Sequence, residues 1–149
     1  MQTTATGRAY LTASHSKAGM LKTSMSASKC KMEPSAGGGP LARLSYVGPV
    51  NKHDFKNFEL KIEVMAKPGS NGGVFFHTGP QSKFLKKGYE AQVCNSCGST
   101  GQTGSLFVIK NIDTSPVKDD EWFEYHILVS GKRIVMKVNG KTTVDYTEP

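Results

Sequence analysis

Residues 88–93 read GYEAQV, with Glu90 and Gln92 two positions apart. Alternate side chains of a strand point the same way. A strand here therefore sets a carboxylate and an amide on one face, with Tyr89, Ala91 and Val93 on the other. A carboxylate can take a proton or accept a hydroxyl, and an amide can both donate and accept. The pair suits the wall of a polar ligand site, and it suits an ordinary solvated sheet face as well. His77, at the end of GVFFH (73–77), could serve as base, acid or metal ligand. Phe75 shares a strand face with Gly73 and His77, so an aromatic ring could lie beneath the same site. Lys110 closes SLFVIK (105–110) and could polarise a carbonyl oxygen, although a surface lysine is the commoner role. Asn139 precedes Gly140, which is first of all a hairpin signal. Alternation leaves the face of His126 open.

Cys30, Cys94 and Cys97 cannot all pair. CNSC (94–97) is one CxxC, whereas structural zinc needs four ligands, usually from two such pairs. A loop disulfide and free thiols both remain open. The net charge of +7 is concentrated at the front. Through His53 the only acid is Glu33, against Arg8, Lys17, Lys22, Lys29, Lys31, Arg43 and Lys52. No aromatic interleaving or recognition motif accompanies these cations, so nucleic acid is not expected as a partner. No run approaches the roughly 18 apolar residues of a membrane span, and no apolar core follows a basic start as in a signal peptide.

The elements that must position these residues are strands. At 149 residues, 37% hydrophobic and 21% charged, the chain suits one globular domain. Residues 1–36 carry little periodicity beyond a weak strand in GMLKTSM (19–25), and are expected to be poorly structured up to the loop SAGGGP (35–40). From there the pattern changes. FELKIEV (58–64) alternates without fault, KPGSNGG (67–73) is a turn, and GVFFH is the next strand. A loop (79–88) leads into GYEAQV, SLFVIK is expected as a strand, and WFEYHILV (122–129) follows another turn. WFEYHILV, a turn at 130–132 and RIVMKV (133–138) form a hairpin, and Asn139-Gly140 turns into KTTVDY. Trp122 is expected as a packing anchor. The fold class is all-β, a sandwich or barrel.

In this order NFELKIEVMAKPGSNGGVFFHT, GYEAQV, TGSLF (103–107), EW (121–122) and GKRIVMKVNGKTTVDY make residues 37–149 similar to the 3-keto-disaccharide hydrolase domain family. The resemblance implies an antiparallel β-sandwich of the concanavalin-like, laminin G-like jelly-roll type, with one concave sheet able to cradle a sugar. It also implies a periplasmic or extracellular location. The chain departs from the family at Asn71-Gly72-Gly73, where Asn-Ser-Gly is usual, and at His77, where arginine is common. Members continue past the segment ending at Pro149, so the resemblance implies a domain lacking its last strand.

The activity implied is cleavage of glycosides oxidised at C3, by hydrolysis or by elimination and hydration. A C3 ketone acidifies the C2 hydrogen, so a base can remove it and the enolate can expel the C1 substituent. That chemistry needs a base near C2, oxyanion stabilisation and a donor for the leaving oxygen. It does not need the two flanking carboxylates of ordinary glycosidases. Glu90 and His77 are the candidate catalytic residues, and Gln92, Phe75, Lys110 and Asn139 the candidate substrate-binding ones. The sequence establishes no cofactor, but a divalent metal is compatible with it, since His and Glu on neighbouring strands would be natural ligands. The alternatives are a non-catalytic carbohydrate-binding module and a structural, partner-binding fragment.

Overall fold

A computed structural model describes residues 55–78 and 87–149 with their side chains, and the backbone of 9–14, 20–25, 30–34 and 42–46. Among the described residues ten strands follow one another: β1 (Ala9–Ser14), β2 (Met20–Met25), β3 (Cys30–Pro34), β4 (Ala42–Tyr46), β5 (Phe58–Met65), β6 (Gly72–Phe76), β7 (Tyr89–Val93), β8 (Trp122–Ser130), β9 (Arg133–Val138) and β10 (Lys141–Thr147). All pairings are antiparallel. One sheet has the order β10-β9-β8-β5-β1-β2, and β3-β4 and β6-β7 are two-stranded sheets. Among the described residues there is no helix, hence none long and apolar enough to cross a membrane. The fold is all-β and antiparallel, consistent with a β-sandwich.

Alternation builds the large sheet. Along β8, Phe123, Tyr125, Ile127 and Val129 are buried. Phe58 and Leu60 of β5, Ile134, Met136 and Val138 of β9, and Val144 of β10 are buried with them. These side chains form one apolar cluster with Phe76 of β6, Ala91 of β7 and Leu106. The core therefore lies between the six-stranded sheet and the β6-β7 hairpin with its Leu106 neighbour. Each large side chain removed from water there contributes about 1.5–3 kcal/mol. The β9-β10 turn has positive φ at Asn139 (49°) and Gly140 (78°), which is the geometry of a type I′ hairpin turn.

Two expectations are corrected. Residues 105–110 are not a strand: Leu106 bridges Ala91 and Lys110, and the chain turns between, with Val108 at φ 60°. Trp122 is no packing anchor, being 51% exposed at the start of β8; the inward alternation of this strand begins with Phe123. Within residues 1–36, β2 falls on the weak strand expected in GMLKTSM, and β1 pairs with β5 along Ala9–Thr12.

Candidate active site

Strand β7 is flanked on both sides. Its partner on one side is β6, with Phe75 opposite Glu90 and Gly73 opposite Gln92. On the other side Gln92 N–H donates to the Ser105 carbonyl (2.9 Å), Gly104 N–H to the Gln92 carbonyl (3.1 Å) and Phe107 N–H to the Glu90 carbonyl (3.0 Å). These bonds surround the Ala91–Leu106 bridge and set Phe107 opposite Glu90 and Ser105 opposite Gln92. Opposed residues share a sheet face. One row across the face thus reads Phe75, Glu90, Phe107, and the next reads Gly73, Gln92, Ser105. The other face carries Ala91 and Leu106, with Val74 packed against them in the core. Glu90 and Gln92 therefore lie on the side of β7 turned away from the large sheet.

The two polar side chains differ in burial. Glu90 is half-buried, whereas Gln92 is only 1% exposed and must find partners for its amide. One terminal atom of that amide lies 3.0 Å from Asn71 Oδ1. The other is 3.1 Å from Glu90 Oε1 and 3.2 Å from the Gly72 carbonyl. Two acceptors at the second position call for the amide nitrogen there. Gln92 then donates to Glu90 and Gly72, and its oxygen accepts from Asn71 once that amide is turned as well, with its nitrogen in the place of Oδ1. The buried amide so fixes the rotamer of the half-buried carboxylate.

Gly73 makes room for that carboxylate. A Cβ at position 73 would stand 2.7 Å from Glu90 Cγ, 2.8 Å from Glu90 Oε1 and 2.8 Å from the Ala91 carbonyl oxygen. From the other side of β7, the Tyr125 hydroxyl donates to the Gln92 carbonyl at 3.1 Å, tying the site strand to the floor of the core. Burial pushes the Tyr125 phenol far above its ordinary value, so it stays a donor at every accessible pH.

Phe75, 39% exposed, stands with Glu90 and Gln92, but the remaining candidates point elsewhere. His77 lies just past β6 at φ 51°. Its Nε2 is 2.8 Å from the Lys56 carbonyl, and its ring packs edge-on against Phe58, Phe76 and Tyr89. Phe76 and Tyr89 belong to the core face, so the left-handed backbone turns His77 away from Glu90, against the alternation of GVFFH. Lys110 Nζ donates to the Asp145 carbonyl at 2.9 Å. Asn139 Oδ1 accepts from Glu124 N–H at 2.9 Å, fastening its turn to β8. His126 lies on the outer face of the large sheet, with Nε2 2.8 Å from Glu59 Oε1 but out of line for a hydrogen bond. Burial lowers its pKa against the opposing pull of Glu59, with Lys61 and Lys137 adding to the decrease.

No metal site forms from the candidates. His77 and Glu90 occupy opposite faces, and among the described residues no three of His, Cys, Asp and Glu converge. Cys94 and Cys97 are joined in a disulfide. Their loop is held by Thr103, whose hydroxyl accepts from Cys94 N–H at 2.8 Å and donates to Asn95. Sequence reasoning missed Asn71, Phe107, Ser105 and Tyr125. The Ser105/Phe107 alternation was a usable signal for two of them; the reach of Tyr125 across the layers leaves no local trace.

Residues 48–149, more than half of the chain, match the family model of the 3-keto-alpha-glucoside-1,2-lyase-like domain. None of the curated proteins matches the chain in sequence.

Proposed function

The chain belongs to the 3-keto-alpha-glucoside-1,2-lyase-like domain family, and on that premise we propose that it cleaves glycosides already oxidised at C3 of the sugar. The observation that carries the reading is the row Phe75, Glu90, Phe107, a carboxylate between two aromatic positions with a buried amide at its side. Glu90 is the base: it takes the C2 proton, the C2–H electron pair forms the enolate with the C3 ketone, and collapse of the enolate breaks the C1–O bond. The leaving oxygen acquires a proton and departs as an alcohol, leaving an enone to which water can add. Gln92 positions Glu90, and Phe75 offers a face on which the sugar stacks. His77, Lys110 and Asn139 have structural partners away from this face and take no step. The Cys94–Cys97 disulfide agrees with an oxidising, periplasmic or extracellular setting.

Release of p-nitrophenol from its 3-keto glucoside tests the reading. Wild type turns the substrate over, and Glu90→Gln lowers kcat by about 10²–10⁴-fold, the usual weight of a general base, with unchanged circular dichroism. An unaltered kcat removes Glu90 from the chemistry. The aromatic positions flanking Glu90 also suit a carbohydrate-binding module, and saturable sugar binding without turnover by wild type would favour it.

A further inference from the structure

Asn71, one residue before β6, reaches the site from an exposed position. One terminal atom of its amide lies 3.0 Å from one end of the buried Gln92 amide, whose other end faces Glu90 Oε1 at 3.1 Å and the Gly72 carbonyl at 3.2 Å. The three side chains form one hydrogen-bonded line from the surface to the carboxylate. An amide has a donor end and an acceptor end, so turning one link turns the next. In one setting Asn71 donates to the Gln92 oxygen, and the Gln92 nitrogen donates to Glu90 and Gly72. In the reverse setting Asn71 accepts from Gln92, whose oxygen then faces Glu90 and Gly72. Two acceptors cannot bond, so the reverse setting fits Glu90 only as the acid. The first setting fits the carboxylate, the form that can take a proton.

From this line we infer that Asn71 is a positioning residue for the reaction: by donating to Gln92 it sets the amide nitrogen, not the oxygen, against Glu90 and keeps the base ionised. This rests on the reading of Glu90 as base. With Gln92 only 1% exposed, bulk water cannot satisfy a wrongly set end, and the groups at its two ends decide the setting. Gly72 presents an acceptor at one end, so Asn71 must present a donor at the other. Asn71 touches no reacting atom in this role, and its weight falls on kcat.

Asn71→Asp separates direction from contact, since an ionised Asp has nearly the same shape and can only accept. It draws the Gln92 nitrogen outward and leaves the oxygen against Glu90. The test compares kcat and KM for the 3-keto glucoside of p-nitrophenol in wild type, Asn71→Asp and Asn71→Ala at neutral pH, with circular dichroism to check the fold. Asn71→Asp is expected to lower kcat about tenfold or more, the worth of one hydrogen bond to a charged group, with KM unchanged. Asn71→Ala, which only removes the contact, loses less. Equal losses in the two variants assign Asn71 to packing, and a raised KM assigns it to contact with the sugar; either result overturns the inference and leaves the proposed activity standing. A wild-type kcat in Asn71→Asp does the same. Recovery of Asn71→Asp in about 0.5 M salt, where exposed charges are screened, would assign the loss to the added charge and overturns the inference equally. Failure of wild type to turn over the substrate overturns the activity and this inference together.

Discussion

The β8-β9-β10 meander and the β7 face are built under different rules. In the meander, Trp122 apart, local preference agrees with the structure: alternation buries Phe123, Tyr125, Ile127 and Val129 on β8, and Asn139-Gly140 adopts the positive φ values its turn demands. Around β7 the preferences are broken. His77 and Val108, at φ 51° and 60°, sit beyond the two segments that flank Glu90. Gln92 is a buried amide, and Gly73 interrupts β6. Left-handed conformations of this kind cost on the order of 1–3 kcal/mol each and persist because neighbours hold them, here Lys56, Asn111 and Lys110. A frame obeying local rules carries a patch that departs from them, and such departures are expected where a site is built, as proposed for the Glu90 face.

Substitutions that separate the two regions should differ sharply. Gly73→Ala has the largest expected effect, because its Cβ would meet Glu90 Cγ and the Ala91 carbonyl at 2.7 and 2.8 Å. The backbone oxygen cannot swing aside, so the denaturation midpoint should fall by about 1–3 kcal/mol in stability, and turnover should fall with the displaced carboxylate. Thr142→Ala on exposed β10 should stay within about 0.5 kcal/mol and keep full activity. Equal effects at the two positions would erase the contrast.

Tyr125→Phe comes next, since it removes the bond from frame to site while leaving the ring packed. The Gln92 carbonyl keeps its Gly104 donor, so the expected loss is about 0.5–1.5 kcal/mol, read by urea denaturation. A wild-type midpoint in this variant would show that the cross-layer bond contributes nothing.

The smallest effect belongs to His126. Its folded pKa lies below the ordinary 6.5, so between those values the unfolded chain binds more protons and stability rises with pH. The contribution is complete above 6.5 and is lost as pH falls below it. His126→Gln should flatten the dependence of the denaturation midpoint on pH below the ordinary 6.5, without altering turnover at neutral pH. A slope as steep as wild type would assign it to other groups.

The fold class was legible because β5, β8, β9 and β10 announce themselves by alternation and by an Asn-Gly turn. The Glu90 and Gln92 pairing was legible for the same reason, since period two needs no partner to be read. His77 was not, because one residue of positive φ reverses the face that alternation assigns. SLFVIK misled in the same way: its composition is that of a strand, but Val108 turns the chain and Lys110 reaches β10. Trp122 misled through residue type, for its exposure is decided by where the alternation of β8 begins.

The central claim is that Glu90 removes the proton at C2. It is tested most directly with 3-keto-1,5-anhydroglucitol, which keeps the acidic C2–H but has no exocyclic leaving group at C1, followed by proton NMR in heavy water. The account predicts that wild type accelerates loss of the C2–H signal while folded Glu90→Gln leaves it at the buffer rate. Exchange at the wild-type rate in the variant would contradict it.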